Sequence, residues 1–153
     1  MRRSAVVLIL SAAIVLVGCS KDDGPPTAPA PPGPPAGSTP ETEPNDAAPQ
    51  ALGVLSAKDL LVAGTSSTRS DVDYFSVTLD SIRSLHTSLT WTGSQDLEVG
   101  VTDVNGIMVR NTDTPTGNPE ACTVGELPPG TYRVRVGSRS TSAVSYLLTI
   151  GRR

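Results

Sequence analysis

The chain has little of the chemistry that most active sites use. Its 153 residues include one histidine, His86, two cysteines and five aromatic side chains. A single histidine excludes a histidine-rich metal centre, and two cysteines make at most one bridge, so no disulfide framework underlies the fold. Gly-x-Ser-x-Gly, His-Glu-x-x-His and a phosphate-cradling glycine loop are all missing from the sequence. Long hydrophobic runs are missing too. The longest weakly polar-to-apolar stretch is Ala5 to Val17, thirteen residues, whereas a spanning helix needs about 20. Positive charge is also short: the formal net charge is −3. Phosphate backbones reward clustered Lys and Arg, so nucleic acid is excluded as a partner.

What is present begins with a leader. Arg2 and Arg3 precede the apolar run, and small residues close it, the pattern of a secretory signal peptide. Leu16-Val17-Gly18-Cys19 resembles the bacterial lipoprotein lipobox. That resemblance implies cleavage after residue 18, acylation of the Cys19 thiol and attachment of the mature chain to a membrane. Each buried CH₂ adds roughly 0.8 kcal/mol, so several acyl chains anchor stably. Ser20 stands where an aspartate would resemble an inner-membrane retention signal, which points to the outer membrane of the cell envelope. Loss of residues 1–18 leaves ten basic and fifteen acidic side chains, a formal charge of −5.

Residues 19–40 form the expected linker. Ten prolines fall between Pro25 and Pro49, and proline fixes φ and removes amide donors, so this composition cannot build a core. Fully extended, Ser20 to Pro40 spans roughly 65 Å at about 3.1 Å per residue. From residue 41 to 153 the pattern is that of one all-β domain. Phe75, Val77 and Leu79 alternate with Tyr74, Ser76 and Thr78, the period-two sign of a half-buried strand. Leu85, Leu89 and Trp91 mark a second strand; Leu97, Val99 and Val101 mark a third. Asp103-Val104-Asn105-Gly106 is a turn leading into "IMVRN". Tyr132, Val134 and Val136 alternate with Arg133 and Arg135, and the last strand carries Tyr146, Leu148 and Ile150. About seven or eight short strands without a helical stripe predict a jelly-roll-like antiparallel β-sandwich.

The segments "ETEPNDA", "DVDYFSVTL", "DLEVGVTDVNG", "LPPGTYRVRV" and "SYLLTI" follow one another in an order that resembles the bacterial pre-peptidase C-terminal domain. That domain is similar to the collagen-binding domain of clostridial collagenases, and the likeness covers nearly all of Glu41 to Ile150. It implies a sandwich with a non-catalytic accessory role. In calcium-binding members the ligands come from the opening segment and from acids before the aromatic strand. The corresponding residues here are Glu41, Glu43, Asn45, Asp46, Asp71 and Asp73.

The residues themselves leave two readings of that opening stretch, a solvated acidic cap or a site for a hard cation. Calcium takes six to eight oxygens, several of them carboxylates. Pro44 favours an extended Glu43, which projects Glu41, Glu43 and Asn45 to one side and Asp46 to the other. Asp96, Glu98 and Asp103 read as a solvent face, His86 as a surface strand residue and Cys122 as a small buried one. Phe75, Trp91, Tyr132 and Tyr146 fall on apolar phases, which leaves Tyr74 as the only aromatic out of phase with a core. The sequence therefore predicts no enzyme. It predicts a lipid-anchored envelope module that binds an extracellular or envelope protein or polymer. The alternatives are a structural lipoprotein without ligand and an accessory domain working with a secreted protease.

Overall fold

The computed structural model describes residues 33–112 and 117–153, so the leader and Cys19 lie outside the described residues. Ten strands form two five-stranded sheets, and no helix occurs among the described residues. The strands are β1 (Thr39–Pro40), β2 (Gln50–Val54), β3 (Leu60–Ser66), β4 (Val72–Leu79) and β5 (Arg83–Trp91). They continue with β6 (Leu97–Asp103), β7 (Met108–Thr112), β8 (Glu120–Leu127), β9 (Gly130–Ser138) and β10 (Val144–Arg152). One sheet has the order β1-β3-β10-β5-β8 and the other β2-β4-β9-β6-β7.

The alternation predicted for β4, β5, β6, β9 and β10 is what builds the core. Phe75, Val77, Leu89, Val99, Val101, Val134, Val136 and Leu148 are all fully enclosed between the sheets. Their neighbours in sequence point to the other face of each sheet because successive strand residues alternate, though Gly100 and Thr102 of β6 are buried there as well. The strand count exceeds expectation because β1, β2 and β3 carry weak alternation among prolines, glycines and alanines. β1 and β2 are the two parallel partners in the fold, pairing with β3 and β4, and both lie at sheet edges. Thr39 and Pro40, the end of the compositional linker, thus belong to the first sheet. Gln50 ties the two edges together: its side-chain amide donates to the Pro40 carbonyl at 3.0 Å and accepts from the Thr42 amide at 2.9 Å.

Register defines two ends of the sandwich. At one, Val72 stands opposite Gly137, Tyr146 opposite Trp91 and Leu97 opposite Ser138. At the other, Leu79 stands opposite Gly130, Asp103 opposite Tyr132 and Arg152 opposite Leu85. We refer to these as the Asp73 pole and the Leu79 pole. The turn predicted after β6 closes the Leu79 pole: Asp103 Oδ1 accepts from the amides of Asn105 (2.9 Å) and Ile107 (2.8 Å). Gly106 there has φ of 81°, which its missing Cβ permits.

Candidate cation site

At the Asp73 pole, acids gather from both sheets and from the segment that follows β1. Asp73 continues the buried phase of Phe75, Val77 and Leu79, so the geometry of β4 points its carboxylate inward, where it is fully buried. Glu41 extends the path of β1; its amide donates to the Ala63 carbonyl at 2.9 Å, and its Oε2 accepts from the Thr65 amide at 2.8 Å. Glu43 Oε2 accepts from the Asn45 amide at 2.9 Å, a two-residue turn that places Asn45 inside. The Asn45 side-chain amide then donates to Glu41 Oε1 at 3.0 Å.

Tyr146 of β10 joins them from the opposite sheet. Its hydroxyl stands 2.7 Å from Asp73 Oδ2 and 2.9 Å from Glu41 Oε1. Gly64, directly across from Tyr146 in β3, makes room for that ring. A Cβ there would overlap the Tyr146 phenol and stand 2.8 Å from Glu41 Oε2.

The electrostatics of the cluster are unbalanced. A phenol has one proton to donate, yet two carboxylate oxygens lie within its reach. Burial, with the charges of Glu41 and Asp71 added, pushes the Asp73 carboxyl up to about 8 against the opposing hydrogen bond from Tyr146. Glu43 is raised as well, first by burial and then by Glu41, Asp71 and Asp46. Burial and the two carboxylates hold Tyr146 firmly in its protonated form. Within this cluster two buried oxygens, Asp73 Oδ1 and Asn45 Oδ1, have no hydrogen-bond partner, as is also true of Gln95 Oε1 and Asp96 Oδ1 elsewhere among the described residues. Buried polar atoms seldom go unpaired; a proton shared between Asp73 and Glu41, or a bound cation, would each relieve the repulsion of these acids.

The donor set suits one class of ion. Glu41, Glu43 and Asp73 each offer an oxygen within 4.8 Å of the others. Two ligands at about 2.4 Å from one calcium lie at most about 4.8 Å apart. All donors are oxygens, which selects a hard cation over zinc or copper. Glu41, Glu43, Asn45 and Asp73 can supply four ligating side chains; a bidentate carboxylate and waters would complete six or more.

Of the sequence-predicted residues, these four come together. Asp46 and Asp71 stand at the margin and support the fold there. Asp46 Oδ1 accepts from the Val72 amide at 3.0 Å, and Asp71 Oδ2 accepts from the Ser67 hydroxyl at 2.7 Å. Cys19 lies outside the described residues. Sequence reasoning missed Tyr146 and Gly64. A tyrosine on an apolar phase signals a hydroxyl that needs a partner, but nothing in the sequence says which.

The remaining chemistry is dispersed. His86 Nδ1 lies 2.8 Å from Thr123 Oγ1 on the outer face of its sheet, while Cys122, opposite Thr87, points into the core. Neighbouring strand positions face opposite ways, so His86 and Cys122 cannot act as a pair. Glu98 and Arg135 form a close ion pair and Arg139 lies 3.8 Å from Asp96; with Glu98 14% and Asp96 28% exposed, these two acids are more covered than the solvent face that the sequence predicts.

No family model and no curated protein sequence matches this chain. Solved structures do. The chain is similar to the pre-peptidase C-terminal domain of collagenase from Bacillus anthracis, with TM-score 0.56 and 12% identity, over 72% of this chain and 99% of that one. It is also similar to PliG of Aeromonas hydrophila, a periplasmic inhibitor of g-type lysozyme, with TM-score 0.43 and 14% identity, over 69% of this chain and 100% of that one. The first likeness shows that the chain has the sandwich fold of a pre-peptidase C-terminal domain.

Proposed function

We propose that this chain is a non-catalytic binding or accessory module, tethered to the cell envelope through acylated Cys19, in which calcium fastens the opening segment to the sandwich. The observation that carries the calcium reading is the pair of buried, unpartnered oxygens on Asp73 and Asn45 beside Glu41 and Glu43. When bound, calcium would supply the positive charge that the cluster lacks. The residues do the structural part. Glu41 follows directly on β1, Asp73 belongs to the second sheet and Tyr146 to the first, so one site would hold three parts of the chain together.

The test is a thermal melt of the full chain in calcium and in chelator. A ligand that binds only the native state stabilises it by RT ln(1 + [L]/Kd), about 2.7 kcal/mol at a hundredfold excess over Kd. The expected result is a calcium-dependent rise in Tm that Glu43→Ala and Asp73→Asn abolish. No shift at millimolar calcium would return the acids to the role of a solvated cap. Retention of an envelope protein or polymer on the immobilised chain would support the binding role, and the lack of any such retention would favour a purely structural lipoprotein. The collagenase origin of the Bacillus anthracis domain supports a further reading, an accessory domain working with a secreted protease. Copurifying peptidase activity would distinguish it.

A further inference from the structure

Asn105-Gly106 is the one Asn-Gly pair in the sequence. Both residues are exposed in the β6–β7 turn, and no atom lies within 4 Å of the place a Gly106 Cβ would take. The backbone nitrogen after an asparagine can attack that asparagine's side-chain amide, and a glycine there leaves the approach open. The other three asparagines lack one condition each. Asn45 is fully buried, and its side-chain amide donates to Glu41. Asn111 stands opposite Gly100 within β7, whose pairing with β6 fixes the backbone. Asn118 precedes Pro119, whose nitrogen has no proton to lose.

The hydrogen bonds that hold the pair end on Asp103. Its Oδ1 accepts from the amides of Asn105 at 2.9 Å and Ile107 at 2.8 Å, and its Oδ2 lies 3.4 Å from Asn105 Nδ2. Its carbonyl accepts from the Gly106 amide at 3.1 Å. The reacting nitrogen is thus directed away from the Asn105 side chain, and the turn must open before the two can meet. The Ile107 amide, with that of Asn105, also holds the Asp103 carboxyl below its usual range. The carboxylate therefore keeps a negative charge close to the Gly106 nitrogen, where it opposes loss of the amide proton.

We propose that Asn105 is a site of spontaneous deamidation whose rate Asp103 sets by holding the turn closed. In the opened turn the Gly106 nitrogen gives up its proton and bonds to Asn105 Cγ. The Cγ–Nδ2 bond breaks, and Nδ2 takes up a proton and leaves as ammonia, so that a cyclic imide remains. Water then opens the ring at either carbonyl, and no oxidant or cofactor enters. One product has aspartate at position 105. In the other the main chain runs through Cγ and is one carbon longer. That extra carbon disturbs the bond from the Asp103 amide to the Ile107 carbonyl, 2.9 Å in this structure, which closes the β6–β7 hairpin. Among the described residues β7 pairs with β6 alone, at the edge of its sheet, so the modification loosens that edge.

The test is incubation of the full folded chain at neutral pH, followed by peptide mass spectrometry that separates the two products. Asn105 should convert from amide to acid, in both product forms, while Asn45, Asn111 and Asn118 stay intact. Asp103→Ala removes the acceptor of two backbone amides, so the turn should open more often and Asn105 should react roughly threefold or more faster. The unaltered chain in guanidinium chloride should react faster than when it is folded. A folded chain that keeps Asn105 while the denatured chain converts it would overturn the site. An equal rate in folded Asp103→Ala would overturn the role of Asp103. Should that variant fail to fold, Asp103→Asn decides, because it keeps an oxygen acceptor and loses the charge. A faster rate there supports the role of Asp103, and an unchanged rate overturns it.

Discussion

The Tyr146 hydroxyl lies 2.7 Å from Asp73 Oδ2, a buried hydrogen bond that crosses from one sheet of the sandwich to the other. It links residues 73 positions apart in sequence and brings Glu41 into the same cluster. Removing the hydroxyl should therefore be costly. Tyr146→Phe leaves Asp73 and Glu41 without the hydroxyl that both contact, and the expected loss is about 1–3 kcal/mol. Urea unfolding in chelator measures it; unchanged stability would mean that the bond contributes nothing net.

The raised Asp73 carboxyl makes a pH prediction with a definite sign. In the unfolded chain it loses its proton near 3.8, and in the folded, metal-free chain near 8. Between those values the unfolded state has released a proton that the native state keeps, so the native state binds more protons and stability falls as pH rises. The contribution is complete below about 4 and gone above about 8. Stability curves in chelator at several pH values should show this decline, and Asp73→Asn should flatten it across that window. Calcium favours the ionised carboxylate, so its stabilising effect should grow with pH over the same range.

Gly64 should not tolerate a methyl group. Gly64→Ala drives a Cβ into the Tyr146 ring and against Glu41 Oε2. Overpacking of this kind costs about 1–3 kcal/mol. A lowered Tm together with a weakened calcium response would show that the glycine positions the site. A lowered Tm with an intact response would confine its role to packing.

Arg135→Ala should matter far less. Arg135 pairs with Glu98, but both side chains keep some exposure, 21% and 14%. Partly solvated ion pairs contribute on the order of 1 kcal/mol or less, and the melt should register only that.

Cys122 should be silent toward thiol reagents while the chain is folded. It is buried in the core, and that burial raises its thiol above the ordinary value. Reaction that appears only under denaturing conditions is the expected outcome; rapid labelling of the native chain would place the thiol elsewhere.

The sandwich was legible in the sequence because its central strands announce themselves. In β4, β5, β9 and β10 the two-residue period of the side chains largely coincides with a buried and a more exposed face, so alternation alone identifies them, while in β6 Gly100 and Thr102 of the second face are buried too. The edge strands β1 and β2 could not be read this way. They are short, rich in proline or glycine and only partly buried, and their pairing with β3 and β4 is a matter of tertiary register. The acids of the opening segment were legible as candidates only through the family resemblance, because the residues alone fit a solvated cap equally well. Tertiary structure alone decided which of them come together. It set Asp73 on the inward phase, left Asp46 and Asp71 bonded to the backbone amide of Val72 and the hydroxyl of Ser67, and delivered Tyr146 from a strand at the other end of the chain. Local patterns record which face of a strand is wet, but a site built from three distant segments exists only once the strands are paired.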